Sequence, residues 1–383
     1  MRVLHVVKTS TGATWALRQM KALVARGFEI HVALPDGGPL IPEYVRSGIK
    51  VHFVSYGNNL SRIYPHALEL KRIVDFVRPQ VVHSHFFASA IAVRFALGRW
   101  NPTPRVFQVP GPLHLEHYPS RVLDIASAGE ADRWIASCNW TYNEYQQLGV
   151  PESRLGFSYY GVSLADFMSR PRGKLRAELA IPAEMKLVGM VAFAYPPKRL
   201  LLQRRGIKGH EDFFEALSRV LLSRNDVLGV VIGGAWGQSD EYFRRLQRLG
   251  RVLCGDKLLF LGTRSDVLEI YRDLDVVIHP SHSENLGGAL ESLLLEVPTI
   301  ATSVGGFPDL VEDGKTGWLV PPHNPEVLAN RIVYALDNEE EAKSLASSGA
   351  RRARQITDIH RCIDGVVSVY TQSTRFKAAE SNL

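Results

Sequence analysis

The feature that most constrains this chain is an alternation of short apolar runs with amphipathic stretches, which occurs twice along the sequence. In the first series, a strand pattern at 3–7 precedes apolar residues at helical spacing, Leu17, Met20 and Leu23. The second series starts with the strand pattern at 186–193. Strands that alternate with helices form right-handed βαβ units and share a parallel sheet. The sequence therefore predicts two doubly wound α/β domains, with ligands bound at the carboxyl ends of the strands.

The boundary between the two series lies between residues 164 and 182, where the alternation weakens and proline and glycine accumulate. Such a stretch is typical of an interdomain connection. We therefore predict a first domain over residues 1–165 and a second over residues 166–358. A chain of 383 residues is long enough for two such domains.

The composition argues against several kinds of protein. The three cysteines are far apart and odd in number, which indicates neither a disulfide framework nor a zinc site and favours a reducing, cytoplasmic location. No run of about 18 apolar residues is present, and the N-terminal apolar run is too short for a signal peptide. The net charge of +6 fits phosphorylated substrates or a peripheral contact with the inner membrane. No zinc-finger spacing or RNP-like aromatic pattern indicates a nucleic-acid partner.

The most informative stretch follows the predicted strand at 276–279. Glu284 lies in the loop, Gly287 and Gly288 open a helix, and Glu291 lies in the predicted first turn of that helix. Glycines let the backbone approach a ligand closely, and the free N–H groups and dipole at a helix start favour a diphosphate. An acidic side chain within the helix can accept hydrogen bonds from a ribose. The stretch therefore predicts a site for a nucleotide diphosphate.

Clustered cations follow the predicted strand at 186–193. They are Lys198, Arg199, Arg205 and Lys208. A pyrophosphate needs such groups, because arginine offers a planar fork and lysine a point charge. From the residues alone, the alternative is a solvated basic loop, which is what an isolated run of charges usually forms.

Taken in order, these segments resemble the family-four retaining glycosyltransferases, whose GT-B fold has two Rossmann-like domains facing across a cleft. Residues 291–306 follow the family's usual signature of a glutamate, a helix, a proline before a strand and a Gly-Gly pair. The stretches 275–280 and 313–322 resemble the strand before the signature and the hairpin after it. The resemblance implies an acceptor-side first domain and a second domain that binds the nucleotide sugar. It also implies that residues 359–383 form a helix returning to the first domain and a tail.

The resemblance implies roles for individual residues. Glu291 is expected to bind the donor ribose and Glu284 the donor sugar, with backbone amides at Gly287 and Gly288. Lys208 is expected to neutralise the leaving diphosphate together with another cation of its loop, so Glu284 and Lys208 are the predicted catalytic pair. Six residues separate the two glutamates, one fewer than in the family's usual signature.

Two further candidates lie in the first domain. Gly12 belongs to the loop 9–13, which the family uses to approach the donor phosphates, and this loop lacks a G-x-G-x-x-G pattern. Similar enzymes often carry a histidine where this chain has Val109-Pro110-Gly111. His114 or His117 could supply an imidazole in its place, and we predict His114 as a catalytic residue.

The implied activity is transfer of a sugar from a UDP- or GDP-sugar with retention of configuration, in bacterial polysaccharide or glycoconjugate biosynthesis. The expected partners are this donor and a carbohydrate or lipid-linked acceptor. Neither a metal nor another cofactor is expected, since such sites need no metal. The alternatives are a nucleotide-sugar epimerase of the same fold, a glycosyltransferase of small natural products, and a non-catalytic nucleotide-sugar binding protein.

Overall fold

The computed structural model describes residues 1–55, 63–167, 172–198 and 203–380 of the chain. The chain divides into a first unit, Met1–Ser163 with Ile356–Leu383, and a second unit, Leu164–Gln355. The predicted boundaries, at residues 165 and 358, lie two and three residues further along the chain than this division. Each unit is organised around its own parallel sheet.

The first unit has a parallel sheet with the strand order β3-β2-β1-β4-β5-β6-β7. Its strands are β1 (Arg2–Val6), β2 (Glu29–Leu34), β3 (Lys50–Phe53), β4 (Val81–Ser84), β5 (Arg105–Gln108), β6 (Asp132–Ala136) and β7 (Leu155–Phe157). The helices beside them are α1 (Thr14–Ala25), α2 (Ile41–Arg46), α3 (Ile63–Val77), α4 (Phe87–Leu97), α5 (Leu113–Glu116), α6 (Tyr118–Ala126) and α7 (Asn139–Gln147). Val3, Leu4 and Val82 in the central strands are fully buried, as expected when helices cover both faces of a sheet.

The second unit has a parallel sheet with the strand order β10-β9-β8-β11-β12-β13. Its strands are β8 (Lys186–Val191), β9 (Val227–Ile232), β10 (Leu258–Phe260), β11 (Val276–His279), β12 (Thr299–Thr302) and β13 (Trp318–Val320). Its helices are α8 (Lys174–Glu178), α9 (His210–Val220), α10 (Asp240–Cys254), α11 (Val267–Asp273), α12 (Gly287–Leu294), α13 (Phe307–Leu310), α14 (Pro325–Asp337) and α15 (Glu339–Thr357).

The strand order of the second sheet reverses at β8, which pairs with β9 on one side and β11 on the other. In open α/β sheets, ligands bind in the crevice beyond the carboxyl ends of the strands at such a reversal. The loops after β8 and β11 therefore flank the expected ligand position in this unit. The two parallel sheets confirm the predicted fold class of two doubly wound α/β domains.

The last helix, α16 (Ile359–Glu380), belongs to the first unit. The Tyr370 hydroxyl lies 2.5 Å from the His83 Nδ1 atom. A Cβ added to Gly156 would lie 2.3 Å from a Val369 methyl carbon, so the missing side chain at position 156 makes room for the helix. Neither α16 nor any other helix in the described part of the chain is both long enough and apolar enough to cross a bilayer.

Candidate active site

The candidate site lies at the carboxyl ends of β8 and β11, where two loops contact each other. The loop after β8 leads into α9, and the loop after β11 leads into α12. The backbone N–H of His282 donates to the carbonyl of Ile207 over 2.8 Å. A Cβ added to Gly209 would lie 2.0 Å from the carbonyl oxygen of Pro280. This backbone contact brings the loop that contains Lys208 next to the loop that contains Glu284.

Lys208 and Glu284 form an ion pair across these loops, between the Lys208 Nζ and the Glu284 Oε2 atoms. Their side chains are 23% and 15% exposed, so the pair is only partly screened by solvent. The second carboxylate oxygen accepts from the backbone N–H of Asn285 over 3.1 Å. The Glu284 carbonyl accepts from the backbone N–H of Gly306 over 3.2 Å. An ammonium group therefore lies beside the start of α12, held by a carboxylate whose backbone is fixed.

Neither of the two positions at the start of α12 has room for a side chain, and the reason differs between them. Gly287 has a φ of +44°, and a Cβ there would lie 2.7 Å from the Glu284 carboxyl carbon. A Cβ on Gly288 would lie 3.0 Å from the His279 ring and 3.1 Å from the Tyr271 hydroxyl. The free N–H groups and the dipole give this helix start a partial positive charge. The helix start and Lys208 together form a cationic surface suited to an anionic ligand.

Glu291 lies further along α12 than the sequence indicated. The first turn of α12 contains no acidic residue, so the prediction that Glu291 belongs to that turn is wrong. The reason is that the glycine pair itself forms the first turn. Burial, followed by the charge of Glu291, raises the pKa of Tyr271 above its ordinary value. The half-buried Glu291 is therefore electrostatically coupled to α11, on which Tyr271 lies.

Tyr195 and Lys198 lie in the loop after β8. The Tyr195 ring centroid is 5.8 Å from the Lys208 Nζ atom. Burial, followed by the charge of Glu284, raises the pKa of Tyr195 to about 12. Lys198 is exposed, and Arg199 lies outside the described residues. Tyr195 is therefore a member of the site that the sequence analysis did not select.

Arg205 has carboxylate partners on α9. Its guanidinium contacts Asp212 and also pairs with Glu215 at 2.8 Å. The buried Asp212 carboxylate also contacts the His282 ring, so it connects the loop after β8 to the loop after β11. The contact of Arg205 with a diphosphate remains a prediction. Asp212 and His282 were missed because only the folded chain brings them together, although both lie within four residues of predicted site residues.

The two candidates of the first unit have different surroundings. Gly12 lies in an exposed turn before α1 with a φ of +78°. His114 is buried, with its Nε2 atom 3.1 Å from the Tyr145 hydroxyl and 3.3 Å from the Asp124 carboxylate. Asp124 also pairs with Arg94 at 2.8 Å. His114 is thus part of a buried polar network, and its catalytic role remains a prediction.

Among the described residues, two sets of side chains bring metal-ligand atoms within 4.8 Å of one another. They are His5, His83 and His85 in the first unit, and Asp212, His282 and His323 in the second. In the first set, His5 Nδ1 and His85 Nε2 share a 2.8 Å hydrogen bond, and the His83 and His85 rings are tilted by only 21°. The Nδ1 atom of His83 lies 2.5 Å from the Tyr370 hydroxyl. The Nδ1 atoms of His5 and His83 are therefore both engaged in hydrogen bonds within the first unit.

Gly209 offers a test of the loop contact. A Gly209→Ala variant is expected to bind a nucleotide diphosphate about tenfold more weakly, since the new Cβ would push the loop with Pro280 away from Lys208. The φ of +74° at position 209 adds strain of about 1 kcal/mol for an alanine. Gly314→Ala is the control, because Gly314 has a φ of +68° but nothing within 4 Å of an added Cβ. Equal binding losses in the two variants, measured by calorimetry with UDP, would contradict the contact.

Comparison with known proteins finds two glycosyltransferase family profiles, one in each part of the chain. Residues 199–352 match the family profile described as "Glycosyl transferases group 1", and residues 12–166 match the one described as "Glycosyltransferase Family 4". The chain is 30% identical over 331 residues to a D-inositol 3-phosphate glycosyltransferase of Geodermatophilus obscurus. The match covers 79% of this chain and 68% of the relative.

Solved structures share the fold. The crystal structure of Anabaena Alr3699/HepE in complex with UDP-glucose has a TM-score of 0.80 at 20% identity, covering 99% of this chain and 100% of that one. Sucrose-phosphate synthase from Thermosynechococcus elongatus has a TM-score of 0.78 at 18% identity, covering 97% of this chain and 98% of that one. At these identities the similarity shows the architecture alone.

Proposed function

The chain belongs to the family-four glycosyltransferases with the GT-B fold, and from this premise we propose that it transfers a sugar from a UDP- or GDP-sugar with retention of configuration. The observation that carries the proposal is the Lys208–Glu284 ion pair beside the glycine-rich start of α12. A diphosphate is the ligand that such a cationic helix start favours. Lys208 and Glu284 lie in the loops after β8 and β11, and the Gly-Gly pair begins α12 directly after the second of these loops.

In the proposed bound state, the Lys208 ammonium leaves Glu284 and forms an ion pair with the diphosphate. The freed carboxylate then accepts hydrogen bonds from hydroxyls of the donor sugar, and Glu291 accepts them from the ribose. This exchange keeps both members of the partly buried ion pair satisfied, which matters because an unpaired buried charge is costly. Glu284 and Lys208 are therefore proposed to act as one unit.

In the proposed reaction, the bond between the anomeric carbon and the outer phosphate oxygen breaks. The acceptor hydroxyl oxygen forms the new bond to that carbon, and its proton passes to the departing phosphate. Lys208 and the amides at Gly287 and Gly288 stabilise the negative charge that grows on the diphosphate. These fixed charges supply the stabilisation that a metal ion gives in other transferases, so we propose a metal-independent reaction.

The acceptor is proposed to be a carbohydrate or lipid-linked molecule of glycoconjugate biosynthesis. The relatives named as D-inositol 3-phosphate glycosyltransferases support an acceptor with a hydroxylated ring. The excess of lysine and arginine, with a net charge of +6, supports an anionic acceptor or an anionic surface nearby.

Donor binding tests this proposal directly. UDP-glucose or GDP-mannose is expected to raise the unfolding temperature by several degrees through mass action, and Glu291→Ala should weaken this binding about tenfold by removing the ribose contact. Glu326→Ala, an exposed glutamate at the start of α14, is the control. Absence of a shift with both donors would contradict the proposal. Conversion of the free donor into an altered nucleotide sugar would indicate an epimerase instead.

A further inference from the structure

Three side chains from separate segments of the second unit bring potential metal ligands together, namely Asp212, His282 and His323. One carboxylate oxygen and two imidazole nitrogens lie within 4.8 Å of one another. Asp212 lies in the first turn of α9, His282 in the loop after β11, and His323 in the loop between β13 and α14. We name these three residues the histidine-carboxylate cluster. The cluster therefore connects segments that follow three different strands of one sheet.

The side chains of the histidine-carboxylate cluster contact each other directly. The His282 Nε2 atom contacts the Asp212 Oδ2 atom, and the ring centroids of His282 and His323 are 3.7 Å apart. Bonds of about 2.0–2.2 Å to a tetrahedral zinc ion place neighbouring ligand atoms roughly 3.3 Å apart. Ligand atoms that already lie within 4.8 Å of one another can reach this spacing by rotation of the side chains.

Two of the three members are held by groups around them. The backbone N–H of His282 donates to the Ile207 carbonyl over 2.8 Å. The Arg205 guanidinium contacts Asp212 Oδ1, the carboxylate oxygen that does not contact His282. In metal sites, hydrogen bonds of this kind orient the residues that bind the metal. Asp212 therefore presents its second oxygen to the two histidines.

His323 has an uncommon backbone conformation. Its φ is +57°, which costs a non-glycine residue about 1 kcal/mol and which glycine would adopt without strain. The next residue, Asn324, fixes the position by capping α14, since its side chain accepts from the Val327 N–H over 3.1 Å. Burial, followed by the charge of His282, lowers the pKa of His323, so this ring is neutral at pH 7. A neutral imidazole at the exposed side of the cluster has a lone pair that a metal ion can reach.

We infer that the histidine-carboxylate cluster binds a divalent transition-metal ion, with zinc as the best fit. Imidazole suits zinc, copper and nickel, whereas magnesium prefers oxygen ligands. The metal would displace the proton that His282 shares with Asp212, and a water molecule would complete the tetrahedron. Bound there, it would tie three segments of the second unit together and stabilise that unit. This role lies outside the proposed reaction, in which no metal takes part.

The test uses the full chain, freed of metal with EDTA and then titrated with zinc chloride in a calorimeter. The wild type is expected to bind one zinc ion per chain, and zinc should raise its unfolding temperature by mass action. His323→Gln should weaken zinc binding by about tenfold or more, since even groups that only orient metal ligands are worth that much. Because His323 is exposed, the variant should unfold at the wild-type temperature when zinc is absent.

A second metal and a control variant identify the ligands. Cobalt(II) bound at the cluster should give visible d–d bands without a thiolate charge-transfer band, because the cluster contains no cysteine. His360→Gln removes an exposed histidine of α16 and should leave zinc binding unchanged. Equal zinc affinities in His323→Gln and His360→Gln would overturn the inference. A wild type that binds no zinc, a thiolate band with cobalt, or displacement of zinc by excess magnesium would also overturn it. None of these measurements depends on sugar transfer, so a negative result leaves the proposed function standing.

Discussion

A Lys208→Ala variant is expected to transfer sugar about 10²–10³-fold more slowly than the wild type, the usual cost of losing one preorganised group that stabilises transition-state charge. Two effects act in the same direction. The leaving diphosphate loses its ammonium partner, and Glu284 is left as an unpaired, mostly buried carboxylate where the phosphates should bind. Kinetics of donor hydrolysis and of transfer measure the loss.

Two further variants test whether the loss depends on a positive charge at position 208 itself. Lys315→Ala removes a lysine of the same unit whose side chain is 70% exposed and pairs with Glu312, and it should retain wild-type activity. Glu284→Gln keeps the shape of the side chain while releasing the ammonium, so it should bind UDP at least as well as the wild type and yet transfer sugar more slowly. Equal rates for Lys208→Ala and Lys315→Ala would remove Lys208 from the mechanism.

The protein is expected to lose stability steeply as the pH falls below about 6.5. Burial lowers the pKa of His5 to about 3, and burial followed by the charge of Lys208 lowers that of His279 to about 3. Burial, as the main cause, lowers the pKa of His210 to about 4. In the unfolded chain these three histidines take up protons near pH 6.5, whereas in the folded chain they stay neutral at that pH. Acid therefore favours the unfolded state. At pH 5 each histidine that stays neutral in the folded chain lowers the free energy of unfolding by about 2 kcal/mol.

Denaturant unfolding at half-unit steps between pH 5 and pH 7.5 measures this loss, because the slope of the unfolding free energy against pH counts the protons taken up. Several protons are expected below pH 6 and almost none above pH 7. His5→Gln should lower the count by close to one, because the folded chain keeps that ring neutral over this range. A pH-independent unfolding free energy over this range would show that the histidines are not buried as described.

Several contacts connect the two loops of the proposed donor site. Asp212 contacts Arg205 of the loop after β8 and His282 of the loop after β11, and Gly209 packs against Pro280 between them. These contacts fix the distance between Lys208 and the start of α12. We therefore expect mutations at this junction to alter donor affinity even where they do not touch the donor.

The sequence by itself determined the two α/β domains and the order of chemical groups along the chain. Strand and helix periods are local properties, so residues 3–7 and 186–193 predicted their strands without knowledge of any partner. The sequence also predicted that Gly287 and Gly288 begin a helix, where glycine lets the backbone approach a ligand closely. The cationic loop was proposed as a phosphate site from its resemblance to the family, since a run of basic residues alone is also typical of a solvated loop.

Only the tertiary structure decided which of these groups meet. Lys208 and Glu284 are 76 residues apart, and their pairing depends on the adjacency of β8 and β11. The partners of Arg205 and the buried surroundings of His114 depend in the same way on side chains from separate elements. Periodicity carries no information about contacts between distant elements, because these follow from strand order and packing. The residue types therefore indicate which chemical groups this protein has, and the order of its strands decides which of these groups come together.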